Sequence, residues 1–209
     1  MKDDTEPVVK DGPLAKLQWI LLHVEVVGIV IVLLGAYVVQ FGYQEYPCPL
    51  CILQRMAMML SALGPAAMLA AIHGKGPQDR DLMSFAYGSA VIAALLGMCI
   101  SSRQVLLHIL PGDPGHGSAV MGMHLYTWAY VVFMVVIAVS GFTLLFAPAL
   151  QIAKRSGPRP IVSKIVLGAF LLVIAANVVT TFVESGFNLF LPDDPTSYEL
   201  IDGKDDSAN

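Results

Sequence analysis

Two cysteines lie two residues apart in the stretch EYPCPLCILQRMAMML, residues 45–60. Cys48 and Cys51 each adjoin a proline, and Arg55 follows four residues after the second cysteine. A thiol pair at this spacing can open and close a disulfide, with the thiolate as the attacking species. Helix N-termini and nearby cations both stabilise a thiolate, through unpaired N–H groups and direct attraction. Pro47 and Pro49 suit the entry into a helix. On a helix running through the pair, Cys48, Cys51 and Arg55 stand at i, i+3 and i+7, one stripe with the arginine a turn deeper than Cys51. Such a stripe suits electron transfer: a thiolate pair beside a cation that can hold an anionic or carbonyl-bearing acceptor. Each residue also has an ordinary use. An arginine near the end of a membrane span can snorkel to the interface, and a CxxC can be half a metal site or a passive bridge.

The elements that must position this stripe are membrane spans. The chain has 209 residues, 56% hydrophobic and only 13% charged, against about 25% charged in soluble domains. Apolar runs long enough to cross a bilayer, roughly 20 residues each, are expected at about Trp19–Phe41, Ile52–Ile72, Leu82–Ile100, Leu125–Phe146 and Ile161–Val183. The fold class is therefore an all-α integral membrane protein. Gly64-Pro65 should kink the second span. Residues 1–18 read as a cytoplasmic N-terminal segment and not as a cleavable signal. Residues 148–160 form a basic cytoplasmic loop, 161–183 a fifth transmembrane helix, and 184–209 an acidic extracytoplasmic tail. Placing the N-terminus in the cytoplasm puts nine basic residues inside (Lys2, Lys10, Lys16, Lys75, Arg80, Lys154, Arg155, Arg159, Lys164) and three outside (Arg55, Arg103, Lys204). That asymmetry orients the chain. It sets the CxxC and the 101–124 connection on the oxidising side, where disulfides persist.

Three cysteines are too few for a disulfide scaffold. Cys99, in an apolar stretch of the third span, is expected as a small buried hydrophobe. His108, His116 and His124 lie in or beside the 101–124 connection, at spacings that match no metal motif. Tyr126 and Trp128 at a span boundary fit an aromatic belt or a stacking wall for a flat ligand. His23, Glu25 and Asn177 are polar at membrane depth, where such residues are costly. From Glu184 onward, seven acids against one lysine read as a solvated end.

The stretch YPCPLCILQR at the start of a second span resembles the CxxC segment of the DsbB family, with RQVLLHILPG and HLYTW fitting the same layout. The similarity covers roughly residues 17–147, and its specific core is CxxC-x-x-x-R. It implies a four-helix transmembrane bundle of DsbB type over residues 19–147, to which the fifth span is added. It further implies a thiol:quinone oxidoreductase that oxidises thiols outside the cytoplasm through a Cys48–Cys51 disulfide. Arg55 would hold the quinone, ubiquinone or menaquinone, and His108 would lie near Arg55 and hydrogen-bond it. Expected partners are an extracytoplasmic thioredoxin-like dithiol protein or other thiol substrate, together with membrane lipid and quinone, and no nucleic acid. The expected place is the bacterial inner membrane, multi-pass, with the site on the periplasmic side. Well-characterised members carry a second cysteine pair between their third and fourth spans, whereas residues 101–124 here contain no cysteine. The two-disulfide relay therefore cannot run in this chain: either Cys48–Cys51 exchanges directly with its partner, or another protein supplies the missing pair. The exchange order expected is attack at Cys48, the more exposed, with Cys51 nearer the quinone. The competing function is a metal-binding membrane protein, in which the CxxC thiolates and a loop histidine hold copper(I) or zinc.

Overall fold

A computed structural model describes residues 13–73, 80–147, 150, 160–188 and 195–202. The segments 1–12, 74–79 and 151–159 lie outside it, so the basic loop expected at 148–160 is largely outside the described residues. Six helices follow in order: α1 (Pro13–Tyr37), α2 (Pro49–His73), α3 (Arg80–Leu107), α4 (Leu125–Leu145), α5 (Pro160–Ser185) and the short α6 (Glu199–Asp202). A π-helical turn, Val38–Gly42, extends α1. Among the described residues five helices are long and apolar enough to cross a membrane, matching the five spans read from the sequence. The first to third run longer than expected, to Gly42, from Pro49 and to Leu107.

These helices are apolar on both faces. Leu22, Val26, Leu69 and Phe133 are buried, while Ile31, Ile92, Val135 and Leu172 are exposed on the outside of the bundle. A water-soluble helix would place polar residues there, and lipid is the solvent that accepts an apolar outer face. The protein is an all-α, multi-pass membrane protein.

The most buried span is α2. It packs against α1, α3, α4 and α5, so a residue near its N-terminus sits where several elements converge. The helix continues through Pro65. Its neighbour Gly64 matters more: a Cβ there would fall well inside van der Waals contact with the Ala86 backbone. Glycine thus lets α3 close on α2, as small residues do where membrane helices meet. Gly64→Ala is expected to destabilise the bundle by about 1–3 kcal/mol through forced separation of the two helices. A matching fall in resistance to unfolding in mixed detergent checks this.

The connection from α3 to α4 is folded over the α2 N-terminus. Ala119–Val120 pairs antiparallel with Met123–His124, and Met121 and Gly122 between them both have positive φ, the backbone of a tight primed hairpin turn. The Glu45 carboxylate accepts bonds from the Ser118 backbone N–H and hydroxyl. A His124 ring nitrogen bonds the Gly117 carbonyl at 3.0 Å. These contacts fasten residues 115–118 beside the cysteines.

Two sequence expectations need correction. Cys99 is exposed on the outer face of α3, because the inward stripe of that helix is taken by Tyr87, Ala90, Ala94 and Ser101. The acidic tail is not wholly solvated: Pro195 is buried, and α6 packs back on α5. Residues 189–194 and 203–209 of the tail lie outside the described residues.

Candidate redox site

Because α2 begins at Pro49, Cys48 occupies its N-cap. The Ile52 N–H donates to the Cys48 carbonyl at 3.1 Å. The Cys51 N–H points at Cys48 Sγ, 3.2 Å away. Sulfur here stands where a serine or aspartate oxygen usually caps a helix. The two sulfurs are 2.6 Å apart. From α3, the Gln104 amide Nε2 donates to Cys48 Sγ at 3.2 Å and lies 3.5 Å from Cys51 Sγ. The buried Gln54 amide donates to Gln104 Oε1 at 2.8 Å, which fixes the Gln104 amide with its N–H groups toward sulfur. Adjacent sulfurs titrate as a unit. The Cys51 sulfur and burial push the Cys48 thiol well above its usual range, so Cys48 keeps its proton and the reduced pair carries at most one thiolate.

The expected order of exposure is reversed, since Cys48 is buried and Cys51 half-buried. The capping role explains this, because it turns Cys48 inward over the helix end. The two cysteines nevertheless face different spaces. Cys48 lines a cleft of about 670 Å³ on the side of the α3–α4 connection, with Tyr46, Arg103, His108 and Asp113. Cys51 lines a cavity of about 420 Å³ running into the bundle, with Arg55, Met58, Tyr126 and Trp128.

Arg55 is largely buried and turned toward α1. Its Nη1 donates to Gln40 Oε1 at 2.6 Å, its Nη2 to the Ala36 carbonyl at 3.4 Å, and its guanidinium lies 5.3 Å from the Tyr37 ring centroid. A snorkelling arginine would reach water and find its partners there. This one is held inside by three groups of α1 and its π-helical turn, while still lining the cavity.

His108 is not brought to Arg55. It lines the loop-side cleft, bonds Asp113 Oδ1 at 3.1 Å and stacks on Tyr126 at 5.7 Å. The Asp113 carboxylate is held below its usual range by the Gly115 N–H and then by His108, so this clasp keeps its charge at neutral pH. The histidine nearest the cysteines is His116, whose ring nitrogen and the two sulfurs all lie within 4.8 Å of one another. It lines both spaces. Its flanking glycines, Gly115 and Gly117, have φ of +73° and +72°, and this left-handed backbone folds the loop so that the imidazole reaches inward. Tyr126 is buried, stacked against His124 at 5.2 Å and 8°, and forms a flat wall of the bundle-side cavity.

Four further residues had no signal in local spacing. Gln104 and Gln40 become site residues only through helix packing. Tyr198, from the chain after α5, bonds Gln40 at 3.1 Å. Glu184 at the end of α5 is 1% exposed, and neither of its carboxyl oxygens has a hydrogen-bond partner among the described residues. Deeper in the bundle, Glu25 accepts from Ser140 and His23 bonds Ser163, both far from the cysteines in the chain.

This arrangement can be set beside known proteins. The family model described as disulfide bond formation protein DsbB matches residues 18–118, from early α1 to the loop holding His116. Residues 18–118, a little under half of the chain, thus match the DsbB family. Over 74 residues it is 43% identical to a protein named disulfide bond formation protein B from Chromobacterium violaceum, covering 35% of this chain and 42% of that one. A protein of that name from Xanthomonas campestris pv. campestris is 44% identical over 80 residues, 37% of this chain and 43% of the relative. Disulfide bond formation protein B 2 of Burkholderia lata is 33% identical over 95 residues, 46% and 51%. The chain thus spans about two fifths to one half of the length of these curated relatives. No solved structure matches it. The DsbB match holds Cys48, Cys51, Arg55, Gln104 and His116, whereas α5, Glu184 and Tyr198 lie beyond it.

Proposed function

We propose that this chain is a membrane thiol:quinone oxidoreductase that makes disulfides in extracytoplasmic proteins. The observation that carries the proposal is the division of labour between the two sulfurs. One bondable pair separates a loop-side cleft from a bundle-side cavity, with Cys48 facing the first and Cys51 with Arg55 the second. In a bacterial inner membrane the distribution of the basic residues favours the cysteine end on the periplasmic side.

A quinone fits the bundle-side cavity by chemistry. Its volume is in the usual range for small-molecule sites. Its wall is mostly apolar, Tyr126 and Trp128 offer aromatic faces, and Arg55 brings a cation that can bind a carbonyl oxygen. Bound there, a quinone would accept two electrons and two protons. The chain's own steps are these. A thiolate of the partner attacks Cys48 Sγ from the cleft, the Cys48–Cys51 bond breaks, and Cys51 leaves as a thiolate. The partner's second thiol then attacks the sulfur bound to Cys48. This closes the partner's disulfide and returns Cys48 reduced. Gln104, set by Gln54, donates toward both sulfurs throughout and steadies the charge as it moves. The Cys48–Cys51 bond re-forms as two electrons and two protons leave for the acceptor. With no second cysteine pair in residues 101–124, the partner exchanges directly with Cys48. A thioredoxin-like dithiol protein suits the open cleft. Purified chain supplied with a reduced dithiol protein and a short-chain quinone should form one quinol per disulfide; turnover absent under these conditions refutes the assignment.

One observation favours a second reading. Cys48, Cys51 and His116 could close on one soft metal ion, whose ligand atoms would stand about 3.5–4 Å apart. The bonds of Arg55 go to Gln40 and Ala36, so its guanidinium does not bond the sulfurs. A metal-binding protein should, when reduced, take up one Zn²⁺ per chain, and His116→Ala should weaken binding at least ~10-fold. Reduced chain that binds no zinc in competition with a chromophoric chelator removes this reading and leaves the oxidase.

A further inference from the structure

Chain beyond the DsbB match, at Tyr198, reaches the site. Helix α5 packs on α1 and α2, and α6 packs on α5. At the end of α5, Gly186 takes a positive φ of 57°, and its Cα lies so near Glu199 and Leu200 that a Cβ would touch both. That close approach brings the segment before α6 back over the cysteine end. Its Tyr198 stacks edge-on against Tyr46 at 4.9 Å, two residues from Cys48. Tyr198 Oη accepts a bond from Gln40 Nε2, and Gln40 Oε1 accepts from Arg55.

The Gln40 amide can face Arg55 in two ways. With Oε1 toward the guanidinium it forms a charge-assisted bond, and with Nε2 toward it two donors collide. Gln40 is 2% exposed, so its orientation is set by the protein groups around it. Arg55, a donor only, draws Oε1 toward itself, and Tyr198 accepts from Nε2 on the other side and so anchors the amide in that place. Burial pushes the Tyr198 phenol above its usual range, so it remains a neutral hydroxyl at neutral pH. The π-helical turn that holds Gln40 is a kind of irregularity found often at functional sites. Glu184 places a buried carboxyl from the same end of α5 within electrostatic reach of Arg55. The C-terminal module therefore reaches the arginine through the Tyr198–Gln40 bond.

We propose that Tyr198 is a positioning residue of the electron-acceptor site: through Gln40 it sets the orientation of Arg55, so that the fifth helix and the segment following it are a working part of the site and not an appendage. This rests on the assignment of Arg55 to the acceptor.

The test is a double-mutant cycle on the full-length chain in detergent, with Tyr198→Phe, Gln40→Ala and the double variant, and Arg55→Ala beside them. KM for a short-chain quinone is measured separately from the rate of thiol exchange with a reduced dithiol protein. Tyr198→Phe should raise the quinone KM about three- to tenfold, the size of one lost hydrogen bond, with exchange unchanged. The double variant should be no worse than Gln40→Ala alone, since both changes cut the same chain. If Tyr198→Phe leaves KM unaltered, or if the two effects multiply, while Arg55→Ala raises KM, the positioning role is wrong and the acceptor assignment stands. An unchanged KM in Arg55→Ala overturns both.

Discussion

Replacing Cys51 with alanine is expected to abolish turnover and to leave Cys48 able to capture, as a stable mixed disulfide, a partner that carries one activated cysteine. Loss of a residue that forms the covalent intermediate reduces an enzyme to background, here by at least ~10³-fold. The two single variants should differ in what they trap. In Cys51→Ala the remaining thiol lines the loop-side cleft, open to a protein partner, and a partner with one cysteine has no second thiol to resolve the adduct. In Cys48→Ala the remaining thiol lines the bundle-side cavity, so little adduct should form. Non-reducing gels after incubation with a single-cysteine partner whose thiol is activated as a thionitrobenzoate disulfide separate the outcomes, thionitrobenzoate leaving as each adduct forms. An adduct formed through Cys51 in preference to Cys48 would reverse the order of exchange.

Arg55→Ala should strike the other half of the reaction. It removes a buried cation held by Gln40, the Ala36 carbonyl and the Tyr37 ring. A hydrogen bond to a charged group contributes about 1.5–3 kcal/mol, so the quinone KM should rise about 10- to 100-fold. Thiol exchange at Cys48 should survive, because no bond from Arg55 reaches that sulfur. Arg55→Lys should recover little, since an ammonium cannot keep the forked contact to Gln40 and Ala36 while also reaching into the cavity. Stopped-flow measurement of the exchange step and steady-state measurement of the quinone step resolve the two. Equal damage to both steps would mean that Arg55 supports the structure of the cysteine pair and has no special bearing on the acceptor.

The fold was legible because lipid demands long apolar helices, and all five spans stand out by length alone. The cysteine stripe was legible for a related reason. It is local, and helical spacing alone sets Cys48, Cys51 and Arg55 near one another. What was missed is non-local. His116 had no motif, and only the hairpin at 119–124 and the Glu45–Ser118 contact carry it to the sulfurs. His108, favoured by its place in the sequence, is instead clasped to Asp113 in the loop-side cleft. Gln104 reaches the cysteines through the α2–α3 contact that Gly64 permits. Composition misled at the tail, where acidic, proline-containing sequence suggested a solvated end although Tyr198 docks against Tyr46 and Gln40. Cys99 was misjudged because in a membrane helix an apolar neighbourhood marks either face.

The central claim is that the Cys48–Cys51 pair hands its electrons to a quinone, and a single-turnover experiment without air tests it most directly. Purified chain with Cys99 replaced by alanine is reduced, freed of reductant and mixed with quinone, and thiols are blocked at intervals for mass analysis. The account predicts one quinol for every two thiols lost, with the loss slowed in Arg55→Ala. Persistence of both thiols beside unreacted quinone would contradict it.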